Sequence, residues 1–131
     1  MNMEYKRTHK KFTLDRYRKS FGNSLAGINY ALKYEQNMIV IFCAGLLCVF
    51  AGLLLEISKF EWVTIIIMIG LVAATELINT AIEAVVDLAT TKEHPFAKIA
   101  KDSSSAAVLV FAMVAFITGL IIFLPKILEL I

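Results

Sequence analysis

The residues of this 131-residue chain with the most chemistry to offer are Glu76, Glu83 and Asp87, with Asn79 and Thr80 set between them. On a helix at about 100° per residue, the three acids fall within a sector of roughly 40°, flanked by Asn79 and Thr80. Leu77, Ile78, Ile82 and Val85 cover much of the remaining circumference. Carboxylates beside an amide oxygen are hard ligands that suit Mg2+, and so a phosphate-bearing substrate. The same stripe could instead move a proton.

Position gives the stripe its weight. The segment is apolar from about Trp62 to Ala74 and then continues into the acids. An unpaired acid near a bilayer centre costs about 2.5–3.5 kcal/mol on insertion scales, so these groups must face protein, water or a cation. A plain extension of the helix into the cytoplasm would solvate Asp87 well and Glu83 partly. It accounts poorly for Glu76, which follows Trp62 by only a few turns.

Further polar residues gather at the same level. Glu35 stands just before the first apolar run, and Lys101 and Asp102 stand just before the last. By themselves Lys101 and Asp102 read as an interfacial anchor and a cap, and His94 as an ordinary loop histidine.

The elements that must position these groups are membrane helices. The chain is 59% hydrophobic and 18% charged, against roughly 45–50% and 25% in ordinary soluble domains. Apolar segments at 38–55, 62–88 and 104–124 each approach the roughly 20 residues needed to cross a bilayer, and in lipid they must be helical to satisfy their own backbone. The expectation is an all-α integral membrane protein with three transmembrane helices in one domain. Lys6, Arg7, Lys10, Lys11, Arg16, Arg18, Lys19 and Lys33 crowd the amino-terminal part, and Lys92, Lys98 and Lys101 lie in or near the second loop. This distribution predicts an amino terminus and second loop in the cytoplasm, with the first loop and carboxyl terminus outside.

Residues 1–11 form a basic tail. Over 12–35, Leu14, Tyr17, Phe21, Leu25, Ile28 and Leu32 recur in steps of three and four, predicting an amphipathic surface helix along the cytoplasmic headgroups, with Thr13 as its cap. Gly22 and Gly27 predict neighbouring helices packed close against it. Cys43 and Cys48 point in different directions on one helix and read as packing residues rather than a disulfide. No signal peptide is expected, since the first apolar run begins only near Met38. Zinc-finger spacing is absent, and no partner nucleic acid is expected.

Three stretches carry a resemblance. ATELINTAIEAVVD (Ala74–Asp87), with its E-x-x-N-x-x-x-E-x-x-x-D core, AKDSSSAAVL (Ala100–Leu109) and, more weakly, SLAGINYALKYE (Ser24–Glu35) resemble the bacterial integral-membrane diacylglycerol kinase and undecaprenol kinase family. The resemblance implies a homotrimer with active sites at the membrane–cytoplasm interface shared between subunits, in the bacterial cell membrane. It implies ATP as phosphoryl donor and Mg2+ as cofactor, without a Walker A motif, and no G-x-x-x-x-G-K-[ST] occurs here.

Carried over by position, the resemblance makes Glu76 the general base and gives Glu35, Glu83 and Asn79 to the metal. Lys101 goes to the nucleotide phosphates, Asp102 and Asp87 to the adenosine part, and His94 and Ser105 to the nucleotide site. GLIIFLPKI near the carboxyl terminus and KYEQNM around Glu35 look more like the Gram-positive members, which favours undecaprenol as substrate, with diacylglycerol the alternative. From other classes, a small proton-coupled transporter using Glu76 or a non-enzymatic assembly partner would explain one acid or a contact surface. Neither needs a metal-like set with a lysine at the same face.

Overall fold

The computed structural model describes residues 13–130; the basic tail lies outside them. The described residues form four helices: α1 (Leu14–Tyr34), α2 (Gln36–Leu54), α3 (Lys59–Ala89) and α4 (Pro95–Leu128). The last three are long and apolar enough to cross a membrane, so the chain is an all-helical, multi-pass membrane protein.

Each boundary has a local cause. α3 opens on a capping box: Ser58 Oγ accepts from the Glu61 amide at 3.3 Å, and the Glu61 carboxylate accepts from the Ser58 amide at 2.6 Å. α4 opens with His94 as its N-cap and Pro95 in the first turn, where a missing N–H costs nothing. The helix therefore starts at Pro95, well before the 104 expected from apolarity alone. It also runs on through Pro125 to Leu128, since that proline removes only the bond to the carbonyl of Ile121.

The turn between α2 and α3 is tight. Glu56 takes a left-handed conformation with φ 48°, and the Ile57 amide donates back to the Gly52 carbonyl at 3.2 Å. This is the Schellman pattern, in which the residue after the left-handed one packs against the last helical turn. Ile57 is accordingly buried, and a Cβ on Gly52 would lie 2.9 Å from its Cδ1 and 3.0 Å from Trp62 Cη2. Ile57, Ile65 and Ile122 form a small core there, flanked by Trp62 and Phe123. Lys126 closes the same end with an ion pair to Glu61 at 3.7 Å.

α3 and α4 form the principal packed pair, an antiparallel hairpin, and α2 lies chiefly along α3. With 31 residues, α3 is about 46 Å long at 1.5 Å per residue, against a hydrocarbon core of about 30 Å. A crossing that begins near Trp62 keeps Glu76 within the last turns of the apolar layer and carries Asp87 past it.

α1 follows its expected periodicity but packs differently. Leu14, Tyr17, Phe21, Leu25, Ile28 and Leu32 are all exposed, and only Ala31 of this helix is buried. The apolar stripe thus faces away from the chain's own bundle. The close neighbours expected at Gly22 and Gly27 do not come from the chain itself: nothing in it lies within 4 Å of a Cβ placed on either. α1 contacts α2 and α3, and its buried residue, Ala31, lies one turn beyond Gly27. Cys43 and Cys48 are free thiols.

Candidate active site

Glu35 is the hinge on which α1 and α2 meet. It is the single extended residue between them, φ −101° and ψ 113°, so it ends one helix and begins the next. That places its carboxylate beside the polar stripe of α3 rather than along a helix surface.

The centre of the stripe is Glu76, 1% exposed although it is ionisable. A carboxylate buried to this degree needs partners, because desolvation is otherwise uncompensated. Asn37, in the first turn of α2, reaches it with a side-chain hydrogen bond, and the carboxylates of Glu35 and Glu83 act on it electrostatically. Its Oε2 has no hydrogen-bond partner. One buried acceptor oxygen is therefore free for a donor from outside the chain, such as an alcohol.

One turn on, Asn79 is also buried. Its Nδ2 donates to Glu83 Oε1 at 3.2 Å, and its Oδ1 accepts from Ser104 Oγ at 2.6 Å across the α3–α4 contact. The two contacts fix the amide's orientation: its nitrogen donates to a carboxylate oxygen and its oxygen accepts from a hydroxyl. Ser104 Oγ also lies 2.9 Å from the Lys101 carbonyl. Thr80, by contrast, spends its hydroxyl on the Glu76 carbonyl and offers nothing to the site.

Beyond the stripe, the turn between α3 and α4 encloses an open cleft of about 910 Å³. Asp87, His94, Lys98, Lys101 and Asp102 are among its lining residues. Lys101 Nζ bridges to Asp87 Oδ1 at 2.6 Å, and Lys98 pairs with Asp102 one turn away. His94 Nδ1 accepts from the Phe96 amide at 3.3 Å. Four of the five residues expected at a nucleotide, Asp87, His94, Lys101 and Asp102, thus share one cleft. Ser105 is the exception: it is exposed on α4 and does not line it.

The expected metal ligands gather less tightly. Glu83 and Asn79 touch, and Glu35 approaches from the α1–α2 break. No three His, Cys, Asp or Glu side chains among the described residues close on one point. A hard cation that keeps its waters and binds substrate phosphates requires only one or two protein carboxylates. The Glu83 carboxylate and the Asn79 amide oxygen have the right chemistry for it.

Two members of this site escaped the reading of the sequence. Ser104 sits in a run of three serines, and periodicity does not say which one meets α3. Asn37 is exposed at the start of α2, and only the break at Glu35 turns it toward Glu76.

A hairpin of long apolar helices, with a carboxylate buried on one of them and a cleft lined by lysines and acids at its turn, defines a multi-pass membrane protein with a polar site. Comparison with known proteins gives that class its family. Residues 22–123 match the family model described as prokaryotic diacylglycerol kinase. The chain is 47% identical over 116 residues to an undecaprenol kinase of Bacillus subtilis, covering 86% of this chain and 92% of that protein. It is 37% identical over 112 residues to a diacylglycerol kinase of Synechocystis, covering 85% and 64%. It is 36% identical over 101 residues to a diacylglycerol kinase of Escherichia coli K12, covering 77% and 79%. The chain belongs to the prokaryotic diacylglycerol kinase family, as its three motifs suggested, and is a lipid kinase that draws on a phosphoryl donor.

Proposed function

We propose that this protein transfers the γ-phosphoryl group of ATP, with Mg2+, to the hydroxyl of undecaprenol. The observation that carries the choice of lipid is the 47% identity to an undecaprenol kinase across 92% of that protein's length. The relatives named diacylglycerol kinases stand at 34–37%. They favour diacylglycerol as the second reading, with the same residues at work.

Glu76 is the general base. Its unpartnered Oε2 accepts the proton of the lipid hydroxyl, the alcohol oxygen bonds to the γ-phosphorus, and the bond from that phosphorus to the bridging oxygen breaks to release ADP. Burial at the edge of the apolar layer suits a hydroxyl whose chain stays in the membrane. Lys101 turns from Asp87 to the phosphates, and Asp87, Asp102 and His94 line the space for the nucleoside, with Ser105 nearby on α4. Glu35, Glu83 and Asn79 would hold the Mg2+, which would supply positive charge to offset that of the donor's phosphates. Catalysis is then positioning and charge neutralisation.

The functional unit is a homotrimer in the bacterial cytoplasmic membrane, with the amino terminus inside and the site at the cytoplasmic face. The basic residues flanking α1 and the α3–α4 turn support that orientation. The exposed stripe of α1 and the half-exposed Glu35 support a surface that lipid or another subunit completes.

The test is phosphoryl transfer from labelled ATP in mixed micelles, with undecaprenol and diacylglycerol compared under identical conditions. Faster labelling of undecaprenol is the expected result. Faster labelling of diacylglycerol moves the assignment to the second reading, and no labelling of either by folded protein overturns both.

A further inference from the structure

The start of α2 delivers two side chains to the buried carboxylate of Glu76. Glu35, the extended residue between α1 and α2, acts on it as a like charge, and Asn37, two residues on, is joined to it by a side-chain hydrogen bond. The backbone around Asn37 is anchored: Ala31, in the last turn of α1, is 0% exposed, and Met38, the next residue after Asn37, is 5% exposed. The Asn37 side chain nevertheless lies at the surface. Its amide therefore spans from an exposed position to a buried acid, on a backbone held in place from both sides.

The carboxylate has two oxygens, and only one is taken. Glu76 Oε2 has no partner, so the bond from Asn37 falls on Oε1. An ionised carboxylate only accepts, so the amide presents its nitrogen. The last torsion of a glutamate is broad, and without that bond the carboxylate plane would turn easily. With it, Oε1 is held toward α2 and Oε2 is left for a donor from outside the chain. The amide does this without bringing a charge of its own to a group on which Glu35 and Glu83 already act.

We propose that Asn37 is a positioning residue for Glu76, an inference that rests on the reading of Glu76 as the general base. Asn37 fixes the carboxylate so that Oε2 faces the acceptor hydroxyl, the geometry on which proton abstraction depends. The Oε2–H bond forms as the alcohol O–H bond breaks, and the freed electron pair of the alcohol oxygen goes to phosphorus. Asn37 stays on Oε1 throughout, so none of its own covalent bonds changes. Because Asn37 stands in the first turn after the break at Glu35, the alignment of the base depends on how α1 ends.

The test measures kcat, and KM for ATP and for undecaprenol, in mixed micelles for the parent, Asn37→Ala and Asn37→Asp, and repeats the substitutions in a Glu76→Gln background. Asn37→Ala is expected to lower kcat about tenfold, on the scale of a hydrogen bond to a charged group, with either KM changed much less. Asn37→Asp has the same shape but only accepts, and is expected to lower kcat at least as far. In Glu76→Gln neither substitution is expected to lower the residual rate further, because groups that act as one unit are not additive. A second readout needs no turnover: the 15N side-chain amide resonance of Asn37 is followed in micelles without nucleotide. It is expected to shift when Glu76 becomes glutamine, since its acceptor then carries no charge.

A folded Asn37→Ala protein with the parent kcat overturns the inference, as does a loss confined to KM for ATP or a full additional loss in the Glu76→Gln background. So does an Asn37 resonance that Glu76→Gln leaves in place, a result that stands even if the Asn37 variants fail to fold. A fully active Glu76→Gln protein would overturn the general-base reading itself, which is a different failure.

Discussion

Lys101 and Asp87 meet across the α3–α4 hairpin, ammonium to carboxylate at 2.6 Å, at the mouth of the cleft. The pair is substantially exposed, and exposed ion pairs contribute about 0–1 kcal/mol. Its importance is therefore positional rather than energetic. Lys101→Met is expected to leave thermal unfolding within about 1 kcal/mol of the parent while lowering kcat/KM for ATP by a factor on the order of 10²–10³, the cost of removing one charge-stabilising donor. Steady-state kinetics beside a thermal melt in the same detergent checks both halves.

Glu76→Gln keeps the shape of the side chain and its bond to Asn37, but removes the base. Transfer to the lipid is expected to fall by a factor on the order of 10²–10⁴, with folding and nucleotide binding retained. Rate measurement alongside titration with a fluorescent nucleotide separates the two. A fully active Glu76→Gln protein would remove Glu76 from its role.

Chelation supplies a third test. EDTA is expected to abolish transfer, and added Mg2+ to restore it. Glu83→Gln should need more Mg2+ than the parent, because one of its few carboxylate ligands is gone. Ca2+, which prefers more ligands at longer distances, should restore activity poorly in both.

The α2–α3 turn offers a test of stability far from the chemistry. Glu56 pays a left-handed penalty at φ 48° of about 1–2 kcal/mol, so Glu56→Gly is expected to raise the unfolding midpoint in detergent. Gly52→Leu should do the opposite by about 1–3 kcal/mol, since Ile57 and Trp62 already occupy that space. Neither should alter the KM for ATP.

Gly22→Ala distinguishes open surface from a packed one. Within the chain nothing lies within 4 Å of the added methyl, so α1 gains about 0.5–1 kcal/mol from the better helix former. A loss of stability instead would reveal another subunit seated on this face, and crosslinking would then identify it.

Much of this was legible beforehand because periodicity reports angles about a helix's own axis. The stripe of Glu76, Asn79, Glu83 and Asp87 and the apolar line of α1 both follow from residue spacing alone. Spacing also marked Lys101 and Asp102 as lying level with the stripe. It was silent about contacts between axes, which is why neighbours expected at Gly22 and Gly27 are not found within the chain. Apolarity also placed the start of the last helix too late. The stretch from Pro95 to Ser103 is broken by Lys98, Lys101 and Asp102, yet it is helical because Pro95 and His94 start it well.

The sequence by itself determined three apolar helices, their kinship and the identity of the acids, since hydropathy and helical phase are properties of one chain segment at a time. Tertiary structure alone decided which atoms meet. α4 packs against α3, with Ile57, Ile65 and Ile122 clustered at the end away from the site. That packing selects Ser104 from its neighbours for Asn79, brings Lys101 to Asp87, and leaves one oxygen of Glu76 without a partner.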